Sequence, residues 1–400
     1  MKSNYKPIGD YIRRVEKRNT DLKVTRLLGL SMTKEFRETT SNIVGTDMSV
    51  YKVMEKGQFA CDFMSPIRVS KLPVVLKMDD EPNLVSPAYP VFEIIDKNKL
   101  EPEYLMMWFR RSEFDRYATF KCDSAIRGGY DWEELCKTGI PVPHIDKQKE
   151  IVKEYNIVVN RIKLNSKLIE KLEKTAQDIF KQWFLDFEFP DENGKPYKSA
   201  GGELEFNEFG EFPKGWIYDK IGMYVKLSQG LVINATTHHL IKNTGLPLLR
   251  ITDLINDTQE IFIDKSVDKK NIANNEDIII TRTGQVGLVF RNKTGVIYNN
   301  CFKINPDDKV LKKDYLFWFL KRDTTQHAMI ELASGSSAQF DLTHTLFNTL
   351  YIILPSIKSQ NNFSKIVLPI ERHKEIIDSE NKKLEKLKNL LLAKLTIIES

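Results

Sequence analysis

Apolar residues, with a single asparagine among them, recur at alternating steps of four and three at Ile151, Tyr155, Val158, Ile162, Asn165, Ile169, Leu172, Ala176, Ile179 and Trp183. Such a stripe keeps one helix face turned to a partner, so the spacing predicts a coiled-coil helix from Asp146 to about Glu188. Fully helical, that segment would span ~65 Å. A second stripe closes the chain, with Ile370, Ile377, Leu384, Leu391 and Ile398 at seven-residue steps. It predicts the facing helix within the same molecule, and antiparallel packing needs the simpler connection. Asn165, Lys374, Asn381 and Lys388 are polar breaks that either set register or lie at the solvated edge. Pro369 lacks a backbone donor, which predicts that the working part of the second helix starts near Ile370.

The two stripes belong to a longer repeat. IPVPHIDKQ (Ile140 to Gln148) returns as IILPSIKSQ (Ile352 to Gln360), 212 positions on, and KLEK at Lys171 returns at Lys383 at the same offset. Upstream, LEPEYLMMWFRR (Leu100 to Arg111) matches LKKDYLFWFLKR (Leu311 to Arg322), and IGDYI at Ile8 matches IGMYV at Ile221. The chain therefore reads as one unit used twice. The boundaries are 1–145 for a first globular domain, 146–188 for a helix, 189–212 for a linker, 213–357 for a second domain and 358–400 for a helix. Short β-branched and aromatic runs (YKVM, GQFACDFM, AYPVFEII) between turn signals, with helical spacing over Glu101 to Phe114, make each globular part mixed α/β. The fold class expected is mixed α+β, with two globular domains separated by two long antiparallel coiled-coil helices and related by a pseudo-twofold internal repeat.

Charge adds little to this. The 400 residues carry a net +5, and the linker is the acidic exception, with six acidic against two basic side chains between 189 and 212. That balance permits nucleic-acid binding through local patches without requiring it. There is no apolar run long enough to span a membrane and no secretory start, so a cytoplasmic protein with no membrane partner is expected. Four scattered cysteines, Cys61, Cys122, Cys136 and Cys301, show neither zinc-ligand spacing nor a disulfide framework.

Motifs for catalysis are missing: no phosphate loop, no dinucleotide fingerprint, no flipped-base pocket motif, no HExxH and no GxSxG. NPDDK (Asn305 to Lys309) and PDENGK (Pro190 to Lys195) carry acidic clusters, but their composition is that of turns. What remains are polar loops at matching places in the two copies. EDIIITRTGQVG (Glu276 to Gly287) presents Thr281, Arg282, Thr283 and Gln285, and GQFACDFMSPIRVSK (Gly57 to Lys71) presents Arg68, Ser70 and Lys71. A second pair, KCDSAIRGGY (Lys121 to Tyr130) and ASGSSAQFD (Ala333 to Asp341), supplies Arg127, Tyr130, Ser336 and Gln339, and Arg250 completes the set. Arginine, glutamine, serine and threonine are side chains that bond base edges and phosphates, and small residues let a backbone approach a ligand. Arg68, Arg127, Arg282, Gln285 and Gln339 are the first candidates for base or phosphate contact.

Over nearly its whole length the chain resembles the DNA-specificity subunits of type I restriction-modification systems. The resemblance rests on IFKQWFLDFEFPDENGKPYKSAGGE with GEFPKGW across the central helix and linker, on GTDMSVYKV, KGQFAC and VSPAYPVFEI in the first copy, and on EDIIITRTGQVG in the second. Two departures touch helix docking: Ser3 stands opposite Trp216, and the last helix lacks the pair Trp183 and Phe184. The resemblance implies a non-catalytic subunit with two target-recognition domains that reads an asymmetric, bipartite site on double-stranded DNA. It implies two modification (methyltransferase) subunits that methylate adenine, and restriction subunits that cleave. This chain would bind no cofactor, with S-adenosylmethionine, ATP and Mg on the partner subunits. Trp183, Phe184 and Phe187 are the expected partner-docking residues. The alternatives are a stand-alone metal-dependent nuclease or methyltransferase using Asp307, Asp308 and nearby lysines, and a protein-binding coiled-coil adaptor.

Overall fold

The computed structural model describes residues 5–39, 45–122, 130–335 and 340–397. It divides into two compact units, Met1–Ser166 with Asp378–Ser400, and Lys167–Ile377. The fold is mixed α/β, with two long helices, Ile145–Phe184 and Ile357–Lys394, that pack together.

The first unit holds a four-stranded antiparallel sheet in the order Ile12–Val15, Val91–Ile94, Gln58–Cys61, Val74–Leu76. Phe59 and Phe92 stack on this sheet with ring centres 5.0 Å apart, and Phe109 meets both edge-on. The expected helix over Glu101 to Phe114 is two helices, Pro102–Phe109 and Ser112–Lys121. The break falls at Arg111, whose extended backbone starts the second helix. Val152 and Tyr155 of the central helix share the unit's apolar core with Leu392 of the terminal helix and Leu395 of the 3-10 turn that follows it. Asn165, 3% exposed, donates to Asn381 at 2.9 Å and to Glu380 at 3.1 Å, and Arg161 donates to Glu380 at 2.9 Å. As the first helix advances from 152 to 165 its neighbours recede from 395 to 380, so the two segments are antiparallel.

The second unit repeats the same strand order with Val225–Gln229, Cys301–Pro306, Ile278–Thr281 and Val289–Phe290. It adds a five-stranded sheet between residues 241 and 297, where the first unit has two small strand pairs, Leu28–Leu30 with Phe36–Glu38 and Lys52–Met54 with Asn83–Val85. Helices Lys313–Leu320 and Asp323–Ser334 follow. Here too the long helices are antiparallel: Glu173 pairs with Lys374, whereas Phe180 and Trp183 lie against Phe363. Arg291 joins Asp314 at 2.7 Å and Glu371 at 3.1 Å, and Trp318 Nε1 donates to Glu371 at 2.9 Å. These ties fasten the terminal helix to the sheet domain of its own unit. Burial pushes the Glu371 carboxyl above its ordinary value, against the pull of Arg291.

Every position of the first stripe is buried or half-buried. The terminal helix runs from Ile357 through Pro369 without a break, so its packing does not wait for Ile370 as expected. Phe363 and Val367, both fully buried, explain the difference, because their packing offsets one lost backbone bond. Ile398 lies outside the described residues.

Each unit fixes the entry to its long helix in the same way. Gln148, fully buried, accepts from the Glu101 amide at 2.9 Å and donates to the carbonyls of Lys99 at 2.9 Å and Pro143 at 2.8 Å. Gln360, also fully buried, accepts from the Lys312 amide at 2.8 Å and donates to Val310 at 3.0 Å and Pro355 at 2.9 Å. Tyr104 and Tyr315 bond the carbonyls of Pro141 and Ile353 in the strands just before those helices.

Candidate nucleic-acid interface

In the second unit the strand Ile278–Thr281 runs into a turn at Arg282 to Gly287. Gly284 has φ +71°, a left-handed conformation that a side chain would strain, which is why the turn needs glycine there. Thr281 is fully buried and its hydroxyl bonds the carbonyl of Gln285 and the amide of Leu288, so it shapes the turn. Thr283 is half-buried, and Gly284 and Gln285 are exposed at the tip.

Arg282 sits at the base of this turn. Its Nε donates to Asp341 Oδ1 at 2.8 Å, its Nη2 to the other oxygen of Asp341, and its Nη1 to Gln229 Oε1 at 2.8 Å. Gln229 in turn donates to the carbonyl of Asn299 at 2.8 Å. A guanidinium carries five N–H donors, so two remain for a ligand on a group already held in orientation. The second polar loop arrives here as well, since Leu342 N donates to Arg282 O at 2.8 Å and Thr283 pairs with Asp341. His344 lies beside this cluster, and burial together with the Arg282 charge holds its imidazole below the ordinary value. A neutral ring is a donor or acceptor with no charge to repel Arg282.

In the first unit the turn after Cys61 meets Tyr130, the last residue of the second polar loop. Tyr130 N donates to Phe63 O at 2.9 Å, and the two rings meet edge-on at 5.7 Å. Asp62 organises the turn, accepting from Met64 N at 3.0 Å and Ser65 Oγ at 2.7 Å. The short helix Pro66–Val69 then ends at Ser70, whose φ of +53° is left-handed. Arg68, Ser70 and Lys71 are all exposed on this turn, and neither cation pairs with a carboxylate among the described residues. Tyr130 is 2% exposed with its hydroxyl on Thr138 at 2.9 Å, so it anchors the loop from inside.

Several expected site residues have other work. Arg250 starts the helix Ile251–Asn256, donating to Asp253 and to Glu260 at 2.6 Å each, and those bonds raise its pKa. Burial alone would push the Asp253 carboxyl up, but hydrogen bonds from Arg250 and Thr258 hold it below its ordinary value. Trp183, Phe184 and Phe187, the expected docking residues, are 7%, 0% and 9% exposed and pack against Phe363, Tyr315 and Trp216 inside their own unit. Their apolar surface is already covered. Arg127, Ser336 and Gln339 lie outside the described residues. Asp341 and Gln229, which orient Arg282, were not among the candidates, although Asp341 ends a loop that the repeat had singled out.

The acidic runs are turns. Asp191 accepts from the amides of Asn193 and Lys195 at 2.8 Å each, and Asp307 accepts from Lys309 N at 3.1 Å. Among the described residues no group of three His, Cys, Asp or Glu is placed to hold a metal ion, and no helix is long and apolar enough to cross a membrane.

Residues 213–389 match the family model described as type I restriction modification DNA specificity domain. A specificity subunit of the type I restriction enzyme MjaIX from Methanocaldococcus jannaschii is 25% identical over 328 residues, 76% of this chain and 71% of that protein. The HindI specificity subunit of Haemophilus influenzae is 23% identical over 419 residues, covering 89% of each. The chain is thus similar in sequence to curated type I specificity subunits. In fold it is similar to a crystal structure of a type I restriction-modification S subunit from M. genitalium, with a TM-score of 0.59 and 12% identity over 98% of this chain and 95% of that one.

Proposed function

We propose that the chain is the specificity subunit of a type I restriction-modification complex and reads a bipartite, asymmetric site on double-stranded DNA. The observation that supports this is the recurrence, in both units, of the same four-stranded sheet order, with the turn after Cys61 or Thr281 hydrogen-bonded to the chain at Tyr130 or Leu342. On this reading 1–145 and 213–357 are the two target-recognition domains, related by a pseudo-twofold axis, and the paired helices set the distance between them. Arg68, Ser70 and Lys71 in the first domain, and Arg282, Thr283 and Gln285 in the second, face the DNA. The unlike sheets between 241 and 297 and between 28 and 85 give the halves different surfaces, so the two half-sites differ in sequence. Two modification subunits place S-adenosylmethionine at an adenine in each half, and restriction subunits bring ATP and Mg.

Hydroxyl-radical footprinting of the chain with its modification subunits tests this. Two protected segments on one duplex, about one helical turn or a multiple of it apart, are expected. A single uninterrupted footprint would remove the two-reader account.

A further inference from the structure

The internal repeat provides its own comparison for a groove in the second unit. Arg111 and Arg322 occupy the same place in the two copies, each just before the helix that follows the aromatic one. Arg111 is 6% exposed, lies over the Trp108 ring at 4.2 Å and has a carboxylate of its own, Glu113, 3.7 Å away. Two residues beyond Arg322 the corresponding position is Thr324. Arg322 is half-buried, with its guanidinium 5.8 Å from the Phe319 ring, and has no carboxylate partner among the described residues. Burial pushes its pKa below the ordinary value, partly opposed by the Tyr315 hydroxyl.

Beside Arg322, which lacks the carboxylate that Arg111 has in Glu113, lies a groove of about 960 Å³. Phe319, Leu346, Leu350 and Ile353 give it an apolar floor, and Arg322 lines it. Tyr218 and Tyr351 also line it, with rings stacked at 5.2 Å, and Tyr351 is 39% exposed. Lys220 and Glu331 are the other charged residues on the lining. A half-buried, unpaired guanidinium above an apolar, aromatic floor suits one carboxylate flanked by apolar side chains, which is what a protein segment presents. A phosphate backbone would call for a row of cations, and the groove has two set against Glu331.

We infer that this groove is a docking site for a carboxylate-bearing, apolar segment of a modification subunit, with Arg322 as its anchor. The inference rests on the proposed function for the identity of the partner. It also moves the docking surface from Trp183, Phe184 and Phe187, which are covered, to the open groove lined by their neighbour Leu185.

The test uses the full chain and its purified modification subunit, with stoichiometry and affinity read by sedimentation. Arg322→Glu reverses the anchor, and Thr324→Glu supplies the second copy with a carboxylate at the position of Glu113 in the first. Each variant is expected to weaken the binding of one modification subunit about tenfold or more, leaving the other subunit and the melting temperature of the chain unchanged. Wild-type affinity for both subunits in Thr324→Glu, or in an Arg322→Glu chain that melts normally, overturns the inference. So does unchanged subunit binding with weakened duplex binding, which would assign the groove to nucleic acid. If the wild-type chain binds no modification subunit, the proposed function itself fails, a result distinct from the others.

Discussion

Replacing Gln360 with alanine removes three hydrogen bonds at once: to the Lys312 amide and to the carbonyls of Val310 and Pro355, at 2.8, 3.0 and 2.9 Å. Gln360 is fully buried. Each buried polar group left without a partner costs about 1–3 kcal/mol, and Lys312, being half-buried, recovers part of its share from water. Two stranded carbonyls, one partly hydrated amide and a small void sum to about 3–5 kcal/mol. For a cooperative unit of this size each kcal/mol lowers the melting temperature by about 2–4 °C, so a drop of about 6–20 °C is expected in the transition of the second unit. Gln148→Ala should do the same to the first unit, where the partners are Glu101, Lys99 and Pro143. Calorimetry measures the shift, and hydrogen exchange at the Lys312 amide locates it. A Gln360→Ala chain that melts like wild type with that amide still protected would refute the clamp, and with it the equivalence of the two helix entries.

Other outcomes follow from the same geometry. Arg282→Ala should weaken DNA binding by about 1–3 kcal/mol and relax specificity at one base position. Asp341→Ala should reproduce most of that loss with little added in the double variant, all read by fluorescence anisotropy on single-base duplex variants. A loss uniform across sequences would instead make Arg282 a phosphate contact. Arg291→Met strands Asp314 and Glu371, 12% and 10% exposed, and should cost about 3–5 kcal/mol by denaturant unfolding. Burial pushes the Glu173 carboxyl up, but Lys321 and Lys374 outweigh it and hold it below its ordinary value. The folded-state pKa is therefore depressed, so this pairing stabilises the chain above about pH 4.3 and is lost as pH falls through the folded value. Glu173→Gln should flatten that acid limb in a melting-temperature series. Removing one heptad from each long helix shortens the pair by ~10 Å, and on the proposed ruler role the spacer should shrink by about 3 base pairs.

The helices were legible because burial on a long helix repeats, and the four-three spacing from Ile151 to Trp183 marks the buried face position by position. Asn165 read equally as a register residue or as solvated edge, and only its burial and its bonds to Asn381 and Glu380 decide for the first. The break at Arg111 and the passage through Pro369 were not legible, since tertiary packing decides both. At the candidate site, sequence could pair matching loops but not say which of their side chains face out. Thr281 carries the same chemistry as Thr283, yet it is fully buried and closes the turn, and Tyr130 anchors its loop from inside. Trp183, Phe184 and Phe187 stood out for a similar reason: aromatic residues at a helix end suit a partner or a core equally, and only the positions of Phe363, Tyr315 and Trp216 decide between them. The clamp glutamines were visible as the shared last letter of IPVPHIDKQ and IILPSIKSQ, although nothing in the letters says that each ties three backbone groups together.

Sequencing the methylated adenines in DNA from a host that carries this chain with its modification subunits tests the central claim most directly. Two unlike half-sites separated by an unread spacer of constant length, with a methylated adenine in each half, are the predicted result. A palindromic or uninterrupted motif would contradict it.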